Sequence, residues 1–131
     1  MDLNKLGLTK VVKLTPEDAV ARITESLKKE GFGILTEIDV RETLKKKLGL
    51  EFRPYRILGA CNPDLAHQAL SQNLAIGLLL PCNVVVYQNP DGGATVSIAN
   101  PRELIGHTDN REIDHLADLA LEKVTRALEA I

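Results

Sequence analysis

Apolar positions along this chain switch repeatedly between a two-residue and a 3.6-residue period, and the switches fall at capping and turn residues. Leu8, Val12 and Leu14 at even spacing predict a first strand. Thr15-Pro16-Glu17-Asp18 then predicts a helix start, with threonine as cap and proline as first helical residue. The stripe Ala19, Val20, Ile23 and Leu27 gives that helix one buried face, and Gly31 closes it. From Phe32 to Asp39 the pattern alternates again, predicting a half-buried strand that ends where Asp39-x-x-Glu42 forms a second capping box. A short helix follows, with Val40, Leu44 and Leu48 turned inward and a stop at Gly49.

Phe52 to Ala60 reads as the next strand, with Pro54 marking an edge or early position. Asn62-Pro63 repeats the cap-and-proline signal and opens a helix whose apolar side includes Leu65, Ala66, Ala69 and Leu70. The segment Ile76 to Pro81 is apolar but too short and interrupted to assign. Cys82 to Tyr87 predicts a strand, Asn89-Pro90-Asp91-Gly92-Gly93 a turn, and Ala94 to Ile98 a strand that returns as a hairpin. A loop from Asn100 to Asn110 leads to a long helix with Ile113, Leu116, Ala117, Ala120, Leu121, Val124 and Leu128 on one face.

The expected order is β-α-β-α-β-α-β-β-α, an α+β two-layer sandwich on a mostly antiparallel sheet, with the first and last helices on one face. Leu35 beside Ile34, and Val85 between Val84 and Val86, place apolar residues on both sides of the sheet. The second face is therefore expected to be covered, in part by the short helices or by a second copy, and the chain is expected to form a homodimer.

With 131 residues, the chain fits one domain over 1–131, long enough to bury roughly two-thirds of its unfolded surface. No apolar stretch approaches the ~18 residues of a membrane span, so no membrane partner is expected. Residues 1–7 contain neither the apolar segment nor the small-residue cleavage site of a signal peptide, which predicts a cytoplasmic protein. Residues 1–60 hold twelve Lys/Arg against nine Asp/Glu and residues 61–131 four against nine, so the halves carry +3 and −5. That polarity could assist self-association or steer an anion, or simply reflect which helices face solvent. With no Trp, two Phe and two Tyr, the chain lacks stacking platforms for single-stranded nucleic acid, and nucleic-acid binding is not expected.

The candidate chemistry centres on the only two cysteines, Cys61-Asn62-Pro63 and Pro81-Cys82-Asn83. Cys61 precedes a helix N-terminus, whose free N–H groups favour a thiolate, and His67 lies four residues past Pro63. Should the strand ends at Cys61 and Cys82 coincide, two sulfurs and an imidazole would suit a soft metal such as Cu(I) or Zn, or a redox dithiol, with Asn62 and Asn83 as polar support. Neither zinc-type Cys spacing is present, and cysteines after apolar runs also serve as small buried hydrophobes, so structural cysteines remain an alternative. A structural disulfide is not expected in a reducing compartment, which leaves open a transient one between Cys61 and Cys82.

Other groups are secondary. His107, Thr108, Asp109, Asp114 and His115 are borderline metal donors in a polar loop and helix start; Glu37 and Asp39 share one side of a strand; Lys45-Lys46-Lys47 reads as a solvated face; Arg53, Tyr55 and Arg56 suggest an anion site that strand alternation splits between two faces. The sequence contains no G-x-S-x-G, Walker A, dinucleotide fingerprint or H-E-x-x-H.

Three blocks, Gly31-Phe32-Gly33-Ile34-Leu35-Thr36-Glu37-Ile38-Asp39-Val40, Phe52-Arg53-Pro54-Tyr55-Arg56-Ile57-Leu58-Gly59-Ala60-Cys61-Asn62-Pro63 and Gly77-Leu78-Leu79-Leu80-Pro81-Cys82-Asn83-Val84-Val85-Val86, occur in this order, with Asn100-Pro101 after them. Together they resemble the bacterial and archaeal domain-of-unknown-function family 302. The resemblance implies a small dimeric α+β fold with a TATA-binding-protein-like arrangement of sheet and helices, and it implies no particular activity. Such a fold would not bring DNA binding with it, because function lies in the site and this chain lacks the basic saddle.

Two function classes follow. One is a module binding a small ligand or soft metal at Cys61, Asn62, His67, Cys82 and Asn83, with Cys61 and Cys82 as the metal donors. The other is a non-catalytic interaction or structural dimer module with structural cysteines. An enzyme using a thiol nucleophile ranks last, since His67 would be its only base, and no particular cofactor is indicated.

Overall fold

A computed structural model of the chain describes residues 2–131; Met1, the first residue of the expected domain, lies outside them. Five strands, β1 (Gly7–Val12), β2 (Gly33–Asp39), β3 (Tyr55–Cys61), β4 (Cys82–Gln88) and β5 (Ala94–Ala99), form one antiparallel sheet of order β1-β5-β4-β3-β2. The helices are α1 (Pro16–Lys29), α2 (Val40–Leu48), α3 (Pro63–Gln72), α4 (Pro101–Ile105) and α5 (Arg111–Glu129). The expected α+β architecture holds, although a 3-10 helix precedes β1 at Leu3–Lys5, β3 begins at Tyr55 rather than Phe52, and three further local differences occur.

The first is the segment between α3 and β4, which contains a 3-10 helix, Leu74–Leu79, too short for its period to be legible in sequence. The second is α4, which occupies the start of the segment expected as a loop. It has the same origin as α3: Asn100 caps it, accepting from the N–H groups of Arg102 and Glu103, and Pro101 is its first residue. The third is a bulge in β2. Ile34 pairs with Ala60 and Thr36 with Gly59, so Leu35 has no partner and is exposed.

Capping fixes the other helix starts as the sequence predicts. Thr15 accepts from the Asp18 N–H, Asp39 from Glu42, and Asn62 from Leu65. α1 ends at Gly31, held at φ +86°, a conformation that L side chains rarely adopt.

One face of the sheet is packed under α1 and α5. Its largest fully buried side chains are Ile23 and Leu27 of α1, Leu58, Val84, Val86, Val96 and Ile98 of the sheet, and Val124 of α5. Each contributes roughly 1.5–3 kcal/mol by leaving water. The two helices are stitched by the Ser26 hydroxyl, which donates to the Ala127 carbonyl at 2.5 Å, and by an Arg126–Glu30 ion pair at 2.9 Å.

The opposite face is open. Val85 and Ile57 are only half-buried there, whereas their neighbours Val84, Val86 and Leu58, which point to the helices, are fully buried. The register places Thr9, Val11, Ile38, Ile57, Val85, Tyr87, Ser97 and Thr95 on this side. The expected helical cover does not reach the centre of this face.

Candidate ligand cavity at the end of the sheet

β3 and β4 end together at the two cysteines. Cys82 pairs with Ala60 across the strands, and Cys61 pairs with Gly33 on the other side. Coincidence of the strand ends, the condition for a shared site, is thus met. Cys82 shares the helix-facing side with Ala60, and Cys61, one position further along β3, lines the same cavity end.

Cys82 is a half-buried thiol that donates to the Ala99 carbonyl at 3.5 Å. Burial pushes its pKa up to about 11, so at neutral pH it is protonated and a poor nucleophile. Cys61 is also unbridged. Asn62 is held at both ends of its amide: the side-chain oxygen caps α3, and the nitrogen donates to the Glu30 carbonyl at 3.3 Å, tying the end of α1 to the start of α3. His67 and Asn83 are exposed, and Asn83 pairs with Gly59 on the open face. Among the described residues no group of three or more His, Cys, Asp or Glu is placed to hold a metal ion.

What the two cysteines border is an apolar cavity of about 90 Å³ between the sheet end and the helices. The sheet side supplies Phe32, Ala60, Cys61 and Cys82, with Asn62 beside them. α3 adds Leu65, Ala66 and Ala69, and the segment before β4 adds Ile76, Leu79 and Leu80. α4 contributes Pro101, Leu104 and Ile105, while α5 closes the far wall with Ile113, Leu116, Ala117, Ala120 and Val124. Alanine at five wall positions, Ala60, Ala66, Ala69, Ala117 and Ala120, leaves the space that longer side chains would fill. Leu79, Leu80 and Leu104 are 36–39% exposed, so the cavity reaches the surface between α4 and the 3-10 helix.

Of the residues singled out in the sequence, Cys61, Asn62 and Cys82 lie on this wall, and His67 and Asn83 do not. The alanines, Ile76 and Leu104 are additions from the structure. A run of small residues on α3 and α5 was the available signal, but only the tertiary arrangement makes those positions face one another.

The secondary groups have structural partners. Arg102 pairs through Nε with Asp118 at 3.2 Å, donates to the Asp114 carbonyl at 3.3 Å, and approaches His107 Nδ1 at 2.5 Å. The Asp114 carboxylate accepts from the backbone N–H of Thr108 at 2.9 Å and from its hydroxyl at 2.8 Å; these bonds, helped by Arg102, hold its pKa below the usual range. This network fastens the loop after α4 to α5. Glu37 pairs with Arg56 at 2.6 Å, Asp39 caps α2, and Lys46 makes a solvent-exposed pair with Glu42 at 3.1 Å. No helix among the described residues is long and apolar enough to cross a membrane.

Five antiparallel strands, helices on one face and a small cavity at one end define a compact α+β domain. The chain belongs to the family described as "Domain of unknown function DUF302", which it matches over residues 8–131. It is similar to a solved structure described as "Crystal structure of uncharacterized conserved protein DUF302 from Bacillus stearothermophilus", at 34% identity and a TM-score of 0.86, over 95% of this chain and 97% of that one. No curated protein matches.

Proposed function

We propose that the chain is a small-ligand-binding domain whose site is the cavity at the Cys61/Cys82 end of the sheet. The observation that carries this reading is a wall left unfilled by alanines from three elements, beside a core of fully buried side chains, and open to the surface beside Leu104. Cys82 contributes a thiol surface to that wall, and its proton is retained at neutral pH. Unbridged cysteines fit a reducing compartment such as the cytoplasm. The test is an NMR fragment screen on the whole chain. Hits are expected to shift the methyl resonances of Ala66, Ile76 and Leu104 together, and hits scattered over the surface would refute the site.

A second reading, a self-associating module, is favoured by the open face. By register it carries no Asp, Glu, Lys or Arg, so a second copy could cover it without desolvating a charge. Sedimentation at micromolar concentration should give a dimer mass that Val85→Glu reduces to the monomer; a monomeric parent chain contradicts it.

A further inference from the structure

The chemistry of the cavity wall limits what can enter it. Asn62 is its only side chain with nitrogen or oxygen, and both polar atoms of that side chain are already bonded, one to the Leu65 N–H and one to the Glu30 carbonyl. The Cys82 thiol is directed to Ala99. Among the described residues, no buried side-chain nitrogen or oxygen lacks a partner, so none waits for a ligand group. A hydroxyl, amide or carboxylate carried into this predominantly apolar space would lose most of its water hydrogen bonds without replacement.

Size adds a second limit. At about 90 Å³ the cavity is smaller than the cavity of about 150 Å³ that takes benzene in another protein, so it admits a short alkyl end or a small ring. The mouth is itself apolar, formed by Leu79, Leu80 and Leu104, and the residues from Leu74 to Asn83 carry no charge. A longer hydrocarbon would continue over leucines, while a polar head would meet water only beyond them.

We infer that the cavity takes the hydrocarbon end of an amphiphile, an alkyl chain end or small ring entering first, with the polar group held outside the Leu79–Leu80–Leu104 mouth. The inference rests on the ligand-binding reading of the same cavity and specifies its ligand. Binding requires no covalent step and leaves both thiols unchanged.

The experiment compares 1-hexanol with 1,6-hexanediol on the whole chain, read by methyl NMR at Ile76, Ala66 and Leu104. Hexanol can bury a bare methyl end, whereas the diol must bury a hydroxyl whichever end enters. Saturable hexanol binding, with the diol roughly tenfold or more weaker, is the expected result. Ala66→Leu and Ala117→Leu should each abolish hexanol binding by filling the space; two variants guard against one failing to fold, and each is accepted only with a native-like thermal melt. Equal binding of diol and alcohol at these methyls would overturn the hydrocarbon inference while leaving the site intact. Neither compound perturbing the cavity methyls, or hexanol binding that survives both filled variants, would overturn the inference; a fragment screen equally silent at those methyls would then remove the site as well.

Discussion

Cys82 lies directly across from Ala60 in the β3/β4 register, and its thiol is directed at the Ala99 carbonyl on β5. The burial that follows from this placement raises its pKa from 9.0 to about 11. The unfolded chain therefore releases this proton first as pH rises, and native stability falls between about pH 9 and 11 while the Cys82 contribution is fully present below pH 9. The loss is on the order of 2 kcal/mol. Urea unfolding across that range should show the parent chain losing stability relative to Cys82→Ala, with a constant difference between the two below pH 9.

The two Cys-Asn dipeptides are alike in sequence and unlike in structure. Asn62 caps α3 and holds the Glu30 carbonyl, whereas Asn83 is exposed on the open face. Asn62→Ala should cost about 1–2 kcal/mol, and Asn83→Ala should stay within about 0.5 kcal/mol of the parent, both by urea denaturation midpoints.

Gly59 is required by its neighbours. A Cβ there would overlap the Thr36 hydroxyl and lie 2.8 Å from Cγ of Pro81. Gly59→Ala should destabilise by about 1–3 kcal/mol. Removing the hydroxyl in a Thr36→Ala background should recover only part of that loss, because the proline contact persists; thermal melts of the single and double variants give the comparison.

Lys10 is the one charged residue of β1 directed to the helix side, and its ammonium reaches the carbonyls of Leu128, Glu129 and Ile131 at the end of α5. A cation at a helix C-terminus meets unpaired carbonyls and the negative end of the dipole. Lys10→Met keeps the stem and removes the charge, and should lower stability by about 1 kcal/mol in chemical denaturation, with the largest effect at low salt.

The elements legible in the sequence are those announced by local chemistry. Thr15-Pro16, Asp39-x-x-Glu42 and Asn62-Pro63 mark helix starts because the side chain and the backbone it caps are within three residues, and all three caps form. Asn100-Pro101 carries the same signal, but the five residues of α4 are too few for an apolar period to accompany it. Element order leaves open whether the strand ends at the cysteines pair, and the register decides it. The cavity was illegible for a different reason: it is made by what Ala66, Ala117 and Ala120 omit, and an absent side chain leaves no periodic trace until the helices carrying it are brought face to face.

Leu35, the unpaired residue of β2, sets the parity of the strand. Counting by twos from the helix-facing Ile34 would send Thr36 and Ile38 to the helix layer; the extra residue instead sends both to the open face and gives Glu37 and Asp39 the side they share with Arg56. The ion pair of Glu37 with Arg56 depends on that shift, which sets the two side chains on one face. A single supernumerary leucine thus acts as a switch in the strand's wiring, exchanging which half of β2 speaks to the core and which to the surface, so that a deletion of one residue there would rewrite the identity of two faces at once.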